Sequence, residues 1–189
     1  MMMHWKLDET AGGIAHDSAR ENDGTVMGSP LWHPDDGIAG GALELDGIDD
    51  YVSSAFVLDP AEGAFSVFAW VRGGASGQVI VSQENGTNWL MLTPGGALMT
   101  DLKQSGRQGK PLVSLVVVTD GAWHRVGFVW DGSSRILYVD DVEVATDTQS
   151  NLTTSAGGLY IGAGSNLTPD SFWSGLIDDV RIYDRAVEP

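Results

Sequence analysis

The chain has 189 residues and a net charge of −16, from 26 acidic and 10 basic side chains. A hydrophobic fraction of 42% with seven Trp supplies a packed core of single-domain size, which argues against a disordered chain. A surface this acidic repels phosphate groups, and no stretch is long and apolar enough for membrane insertion, so neither nucleic acid nor the membrane interior is expected as a partner.

Short runs of β-branched and aromatic residues recur along the chain, separated by Gly, Asp, Asn and Ser. Within 136–145, Asp140-Asp141 divides two apolar runs, which predicts a two-residue hairpin turn. So many short strands predict an all-β fold of two packed antiparallel sheets. We expect one domain over residues 4–189, with 1–3 as start residues outside it. The predicted strands are 4–8, 41–45, 50–54, 65–72, 78–83, 88–93, 97–102, 112–119, 123–131, 136–145, 159–163 and 176–183.

The stretch ALELDGIDDYV (42–52) holds four carboxylates, Glu44, Asp46, Asp49 and Asp50. Retaining glycosidases hold two carboxyl groups about 5 Å apart, so this stretch is the candidate for catalysis. Asp-Gly followed by Asp-Asp is, however, typical of a turn, whereas a nucleophile needs a rigid strand. We therefore interpret the stretch as a structural hairpin and predict no catalytic residues in the chain.

Several motifs occur in an order that resembles a known family. They are WKLDETAGG and GIAGGALELDGIDDYV near the start, FSVFAWVR and DGAWHRVGFVWDGSSRILYVDDVEVA in the middle, and FWSGLIDDVRIYDRAV at the end. This ordered set resembles the laminin G-like domains of the concanavalin A-like lectin/glucanase superfamily. The resemblance implies an antiparallel two-sheet jelly-roll sandwich. One departure is Asp141, which stands where the family usually has Gly in the central hairpin.

The resemblance also implies a structural calcium between an N-terminal loop and an Asp of the last strand. The loop HDSARENDGT (16–25) offers Asp17 and Asn22, and the matching acid in the last strand is Asp178. Calcium binds six to eight oxygens, commonly carboxylates and carbonyls of an irregular loop. Regular alternation places Asp178 on an apolar face, away from Arg181, where a lone carboxylate is costly. The alternative is that Asp17 caps a turn and that Asp178 accepts backbone hydrogen bonds.

Two tryptophans are candidates for contact with sugars. Trp89 and Trp173 lie beside loops that carry amides and carboxylates, whereas the other strand tryptophans occupy positions that the family fills with core residues. We predict that Trp89 and Trp173 stack on a glycan, with Asn88 and Asp170 as hydrogen-bonding neighbours. The alternative for both tryptophans is packing at the edge of the sandwich.

The resulting functional hypothesis is a non-catalytic carbohydrate-binding or adhesion module of a larger exported protein. The resemblance implies an extracellular or cell-surface location, although the chain shows no signal peptide. One alternative is a protein-interaction or spacer domain of a surface protein. A second alternative is a divergent glucanase that uses Glu44 and Asp46.

Overall fold

The protein is an antiparallel sandwich of two eight-stranded sheets, as described by a computed structural model for residues 1–104 and 109–189. This confirms the predicted all-β jelly roll. Sheet A contains β1 (Met3–Trp5), β4 (Leu31–His33), β5 (Ala42–Asp46), β7 (Phe65–Gly73), β12 (Trp123–Trp130), β13 (Ser134–Val139), β14 (Val142–Thr148) and β16 (Ser174–Tyr183). Sheet B contains β2 (Ile14–Ala15), β3 (Gly24–Met27), β6 (Tyr51–Ser53), β8 (Val79–Gln83), β9 (Asn88–Leu92), β10 (Ala97–Thr100), β11 (Leu112–Val117) and β15 (Leu159–Ile161).

Each sheet combines runs of consecutive strands with neighbours that are distant along the chain, such as β7 with β16 and β8 with β15. Sheet A has the order β14-β13-β12-β7-β16-β5-β4, with β1 also paired to β16, and sheet B has the order β11-β10-β9-β8-β15-β6-β3-β2. The helical structure in the described residues is a single 3-10 turn, Pro169–Ser171. No helix in the described part of the chain is long and apolar enough to cross a membrane.

The core lies between the sheets and is built by alternating side chains. In β7, Phe65, Val67, Ala69 and Val71 are buried in the main core, while Phe68 packs in a second cluster on the outer face of sheet A. The strand is therefore covered on both faces, as its sequence predicts.

Turn chemistry is confirmed at the central hairpin, where β13 ends at Val139 and β14 begins at Val142. Asp140 and Asp141 have φ of 52° and 66°, the left-handed pair that a two-residue type I′ turn requires. The carboxylates of this turn contact the start of the neighbouring strand β12: His124 Nδ1 lies 2.8 Å from Asp140 Oδ2, and Arg125 donates to Asp141 Oδ1 at 2.6 Å.

Three expectations about the strands need correction. Met3, which we placed outside the domain, belongs to β1, pairs with Ile182 of β16 and is fully buried. The acidic stretch 42–52 is not a hairpin, because β5 belongs to sheet A and β6 to sheet B, so the chain crosses between the sheets there. The short strands β2, β3 and β4 were not predicted, since each has only two to four residues.

Strand β16 contains a β-bulge that the alternation argument missed. Asp178 pairs with Trp70 and Arg181 pairs with Phe68, so the register shifts by one residue between them, and Asp179 there has φ of 51°. Asp178 and Arg181 therefore lie on the same, outer face of sheet A, contrary to our expectation. Val180 and Ile182 face the core.

Candidate functional site

A polar cleft of about 250 Å³ opens on the outer face of sheet B. It is lined by the β8–β9 turn, the end of β10 and the loop after β15. We call it the Asn88 cleft, and its lining residues are Gly86, Thr87, Asn88, Asp101, Lys103, Ser165 and Asn166. The three segments meet because β15, β8, β9 and β10 are consecutive neighbours in sheet B.

The side-chain amide of Asn88 is held in one orientation by the loop after β15. The Ser165 amide donates to Asn88 Oδ1 at 3.0 Å, and the Asn85 amide donates to the Ser165 carbonyl, also at 3.0 Å. With its oxygen occupied, Asn88 presents its Nδ2 donors, which make only long contacts, 3.4 Å to Asp101 Oδ2 and 3.6 Å to Met91 Sδ. The amide is fixed, but its donors remain largely unused.

Two residues of the loops around the cleft adopt a left-handed backbone conformation. Asn85 in the β8–β9 turn has φ of 52°, and Leu167 after Ser165 has φ of 50°. This region is unusual for a side chain such as Leu, and such residues cluster at functional sites. The Leu167 amide closes its turn by donating to the Gly164 carbonyl at 2.9 Å. The loop is thus held in a defined shape over the sheet.

The remaining polar side chains of the cleft also retain hydrogen-bonding capacity. Within the described residues, Asp101 accepts only the long Asn88 contact, and Lys103 forms no ion pair. The Asn166 amide donates to Ser165 Oγ at 3.3 Å and is otherwise exposed. The cleft thus offers hydrogen-bond donors and acceptors, together with one negative and one positive side chain.

An apolar and aromatic surface adjoins the cleft on the same face of sheet B. Tyr160 pairs with Ser82, which pairs with Asn88, so the three residues form a row across β15, β8 and β9. Tyr160 contacts Tyr51 edge to face with ring centroids 5.2 Å apart, and Leu167 packs against this cluster. Burial, and then the nearby charge of Glu84, raise the pKa of the Tyr160 hydroxyl. Tyr51 is the more exposed of the two rings.

The structure corrects the prediction that Trp89 and Trp173 stack on a glycan. Both side chains are fully buried in the core, and the Trp89 ring lies 5.2 Å from that of Phe65. An indole enclosed between two sheets cannot present its face to a sugar. Asn88 lines the cleft as described, whereas Asp170 is exposed in the 3-10 turn and is not among the lining residues.

The acidic stretch forms a compact corner where the chain passes from sheet A to sheet B. Oxygens of Asp46, Asp49 and Asp50 lie within 4.8 Å of one another. The buried Asp50 accepts from the Ser29 amide at 2.6 Å and from the Asp46 amide at 3.1 Å, and Asp46 caps the turn by accepting from the Ile48 amide at 2.8 Å. The carboxylates of Asp46 and Asp50 thus accept hydrogen bonds from backbone amides.

Glu44 faces outward from β5, as predicted, and its Oε2 lies 2.6 Å from His33 Nε2. Glu44, Asp46 and Asp50 line a cavity of about 270 Å³ with Ser29 and Leu31. Burial, together with the charges of Asp46 and Asp49, raises the pKa of Asp50, although its two amide donors oppose the shift. Both oxygens of Asp50 are occupied by these donors.

The predicted calcium residues do not form one set of ligands: Asp17 contacts Asn22, but within the described residues neither has a hydrogen bond to Asp178. Asp17 accepts from the amides of His4, Ala19 and Asn22 at 2.8 to 3.2 Å. Burial favours a higher pKa for Asp17, but these bonds outweigh it, and the pKa lies below its usual value. The Asn22 side chain donates to the Met2 carbonyl at 3.0 Å. Asp17 thus braces the loop, as the alternative interpretation expected.

Asp178 differs, because only one of its oxygens has a partner. Its Oδ2 accepts from the amides of Ile38 and Ala39 at 2.7 and 3.2 Å, whereas the fully buried Oδ1 has none within the described residues. Burial raises the pKa of Asp178, and the two amides offset this only in part. Gly37 lies beside this carboxylate, since a Cβ on Gly37 would come within 2.9 Å of Asp178 Oδ2. A buried carboxylate with one unused oxygen is a candidate ligand for a hard cation.

Sequence reasoning found Asn88 but missed Thr87, Asp101, Lys103 and Ser165 as parts of one cleft. Lys103 is one of only three lysines in the chain, which is a weak signal at best. The residues come from three segments separated by up to about 80 positions, and only the strand order of sheet B brings them together.

Comparison with known proteins gives the same fold. Domain 4 of AbnA, a GH43 extracellular arabinanase from Geobacillus stearothermophilus, solved in complex with arabinotriose, matches with a TM-score of 0.74 and 20% identity, over 98% of this chain and 93% of that chain. The binding domain of Paraclostridial Mosquitocidal Protein 1 matches with a TM-score of 0.77 and 11% identity, over 98% and 49%. The botulinum neurotoxin serotype D ligand-binding domain, in complex with N-acetylneuraminic acid, matches with a TM-score of 0.74 and 14% identity, over 98% and 48%.

The chain therefore spans about half the length of each toxin domain. No curated protein sequence matches the chain. A family model described as the concanavalin A-like lectin/glucanases superfamily matches residues 46–189, which is most of the chain. The chain belongs to the concanavalin A-like lectin/glucanases superfamily.

Proposed function

We propose that this domain is a non-catalytic carbohydrate-binding module and that the Asn88 cleft is its site. The observation that carries the proposal is the cleft's unused hydrogen-bonding capacity. The side chains of Asn88, Asp101, Lys103 and Asn166 converge there. Apart from Asn88 Oδ1, which the Ser165 amide occupies, their polar atoms make no contact shorter than 3.3 Å within the described residues. Sugar hydroxyls both donate and accept, so a mixed set of amide, carboxylate and ammonium groups suits them.

The apolar surface beside the cleft supports this assignment. Tyr51, Tyr160 and Leu167 provide a partly exposed apolar patch next to the polar groups, and sugars have both polar and apolar faces. A volume of about 250 Å³ is small for a drug-sized ligand and suits one sugar unit of a longer chain. The oligosaccharide held by the structurally similar arabinanase domain makes arabinotriose the first ligand to test.

The test is binding of the isolated domain to a panel of polysaccharides and oligosaccharides, for the natural sequence and for Asn88→Ala. We expect Asn88→Ala to weaken binding about 30-fold, because a fixed donor at the centre of the cleft is lost. If this variant retains full affinity, the Asn88 cleft is not the binding site.

Ser82→Ala is the matched control for this experiment. Ser82 Oγ donates to the Ala163 carbonyl at 2.6 Å and so helps to hold the same loop, but Ser82 does not line the cleft. If Asn88→Ala acted only by loosening the loop, Ser82→Ala would weaken binding equally. We expect Ser82→Ala to retain its affinity within about threefold.

A divergent glucanase remains the rival to a binding module, and its candidate residues are Glu44 and Asp46. The assignment as non-catalytic is supported by the corner itself, where Asp46 and Asp50 are occupied by backbone amides and Glu44 by His33. We expect no reducing ends to form from laminarin, lichenan, agarose or arabinan. If reducing ends form with the natural sequence but not with Glu44→Gln, the domain is a glucanase.

We also propose that a structural calcium binds beside Asp178, where it would stabilise the loop that covers the carboxylate. Asp178 would supply the carboxylate, and backbone carbonyls of the loop that covers it would complete the oxygen ligands. The support is the unpartnered Oδ1 of Asp178. Asp17 and Asn22 are not part of this proposal, because their polar atoms hold the N-terminal loop.

The location and context of the parent protein are proposed on the same basis. The similar arabinanase is described as extracellular, and the domain with arabinotriose is one part of that enzyme. We propose that the present domain belongs to an exported protein and serves to hold it on a polysaccharide or a glycosylated surface.

A further inference from the structure

Strand β11 forms one edge of sheet B and exposes an unusual amount of apolar surface. Val113, Leu115 and Val117 are 48%, 94% and 47% exposed, and Val116 is exposed as well. Strand β14 of sheet A contacts β11. Exposed apolar side chains concentrated on an edge strand mark a contact surface.

The edge is also free of charge in a chain that is otherwise strongly acidic. No residue from Pro111 to Thr119 carries a charge, and the first charged residues on either side are Lys110 and Asp120. A protein with a net charge of −16 repels its own copies over most of its surface. This edge is a place where two copies can approach without bringing acidic groups together.

Part of the edge is self-complementary about Leu115. Val113 and Val117 lie at equal distances from it, as do Leu112 and Val118, and the basic Lys110 lies as far from it as the acidic Asp120. The pairs Ser114 with Val116 and Pro111 with Thr119 do not match. If two β11 strands lie antiparallel about a twofold axis at Leu115, Lys110 of each copy falls opposite Asp120 of the other. A twofold interface requires this kind of self-complementary surface.

We propose that two copies of this domain associate through β11 in this antiparallel register. A bulge in β11 opposite Ala97–Met99 interrupts the regular strand, so the contact relies on apolar side chains around Leu115 rather than on a long hydrogen-bonded ladder. The surface is small, which predicts a reversible dimer with a dissociation constant between about 10 µM and 1 mM.

Sedimentation velocity over this concentration range tests the proposal. We expect Leu115→Lys to weaken dimerisation at least about tenfold, because it places two ammonium groups at the twofold axis. Leu115 is almost fully exposed, so the variant should fold normally. Ile48→Lys is the matched control, since Ile48 is 70% exposed in a turn away from this edge, and the control should dimerise like the natural sequence.

Charge exchange tests the register itself. Lys110→Asp and Asp120→Lys should each weaken the dimer about fivefold, and the double variant should restore it, because the pairs re-form with reversed polarity. Cooperative melting of each variant verifies folding. The proposal is wrong if the natural sequence is a monomer at about 1 mM. It is also wrong if Leu115→Lys leaves the dimer unaffected, or if the double variant dimerises no more strongly than either single variant.

Discussion

The Asn88 cleft and the acidic corner at Asp46–Asp50 both gather polar side chains, but they use them in opposite ways. In the corner, both oxygens of Asp50 are occupied by backbone amides, and Asp46 caps its own turn. In the cleft, Asn88 is fixed through its oxygen, while its donors and the Asp101 carboxylate make only a long mutual contact. The corner carries more carboxylates, yet the cleft has more capacity left for a ligand. Unused hydrogen-bonding capacity, rather than charge density, distinguishes a binding site from a structural one.

The largest effect that tests this contrast is expected at the corner. Asp50→Ala leaves the Ser29 and Asp46 amides without their acceptor, so we expect the free energy of unfolding to fall by about 3 kcal/mol. Urea denaturation measures this. Glycan binding by the folded fraction should not change. Asp49→Ala is the control, because it removes an exposed carboxylate of the same cluster and should have little effect on either property. A loss of glycan binding in folded Asp50→Ala would contradict the assignment of the corner as structural.

Asp178 is an intermediate case, with one oxygen used and one free. If calcium occupies the free oxygen, calcium at 100 times its dissociation constant should add about 2.7 kcal/mol to the free energy of unfolding relative to EDTA. Asp178→Asn should remove this difference, while Asp17→Asn should lower stability but keep the calcium response. Thermal unfolding measures both. A natural protein whose melting is identical in calcium and in EDTA would exclude the metal site.

Within the cleft, Asp101 should affect binding without affecting the fold. We expect Asp101→Ala to weaken glycan binding about tenfold and to change the free energy of unfolding by less than about 0.5 kcal/mol. Isothermal titration and urea denaturation give the two values. Asp170→Ala is the matched control, since Asp170 is an exposed acid in the 3-10 turn after β15 and does not line the cleft. An equal loss in both variants would indicate a general charge effect.

The smallest effect is expected at His124, whose ring nitrogens are both occupied. Burial lowers the pKa of His124, but the hydrogen bonds that its ring donates to Asp140 and Asp120 outweigh this, so the pKa is raised above its usual value. The protonated ring therefore stabilises the fold at pH values below the ordinary His pKa, and the contribution is lost as the pH rises through the raised value. We expect His124→Gln to cost about 1 kcal/mol near pH 5.5 and less near pH 8.5. A cost independent of pH would contradict the ion pairs.

The fold could be predicted from sequence wherever several residues carried a regular pattern. Strand β7 and the Asp140-Asp141 turn were evident because alternation and turn chemistry are local properties. The bulge at Asp179 was not evident, since a single left-handed residue inside an apolar run leaves no trace in the pattern, and it reversed the predicted relation of Asp178 to Arg181.

The site was harder to predict, because neither the burial of a side chain nor the meeting of distant segments can be read from local sequence. Trp89 and Trp173 adjoin loops in sequence, yet both side chains point between the sheets and are buried. Asn88 stood beside the right loop, but Asp101 and Ser165 reach it only through the order β15-β8-β9-β10 in sheet B. Sequence proximity therefore identified one residue of the cleft and could not assemble the rest.

The most direct test is an amide-resolved NMR titration of the natural domain with arabinotriose, xylotriose, cellotriose, laminaritriose and sialyllactose. If the Asn88 cleft binds carbohydrate, at least one of these sugars will shift the resonances of Thr87, Asn88, Asp101 and Ser165 and leave those of Asp46 to Asp50 in place. Shifts confined to the acidic corner, or no shift with any of the five sugars, would contradict the assignment of the cleft.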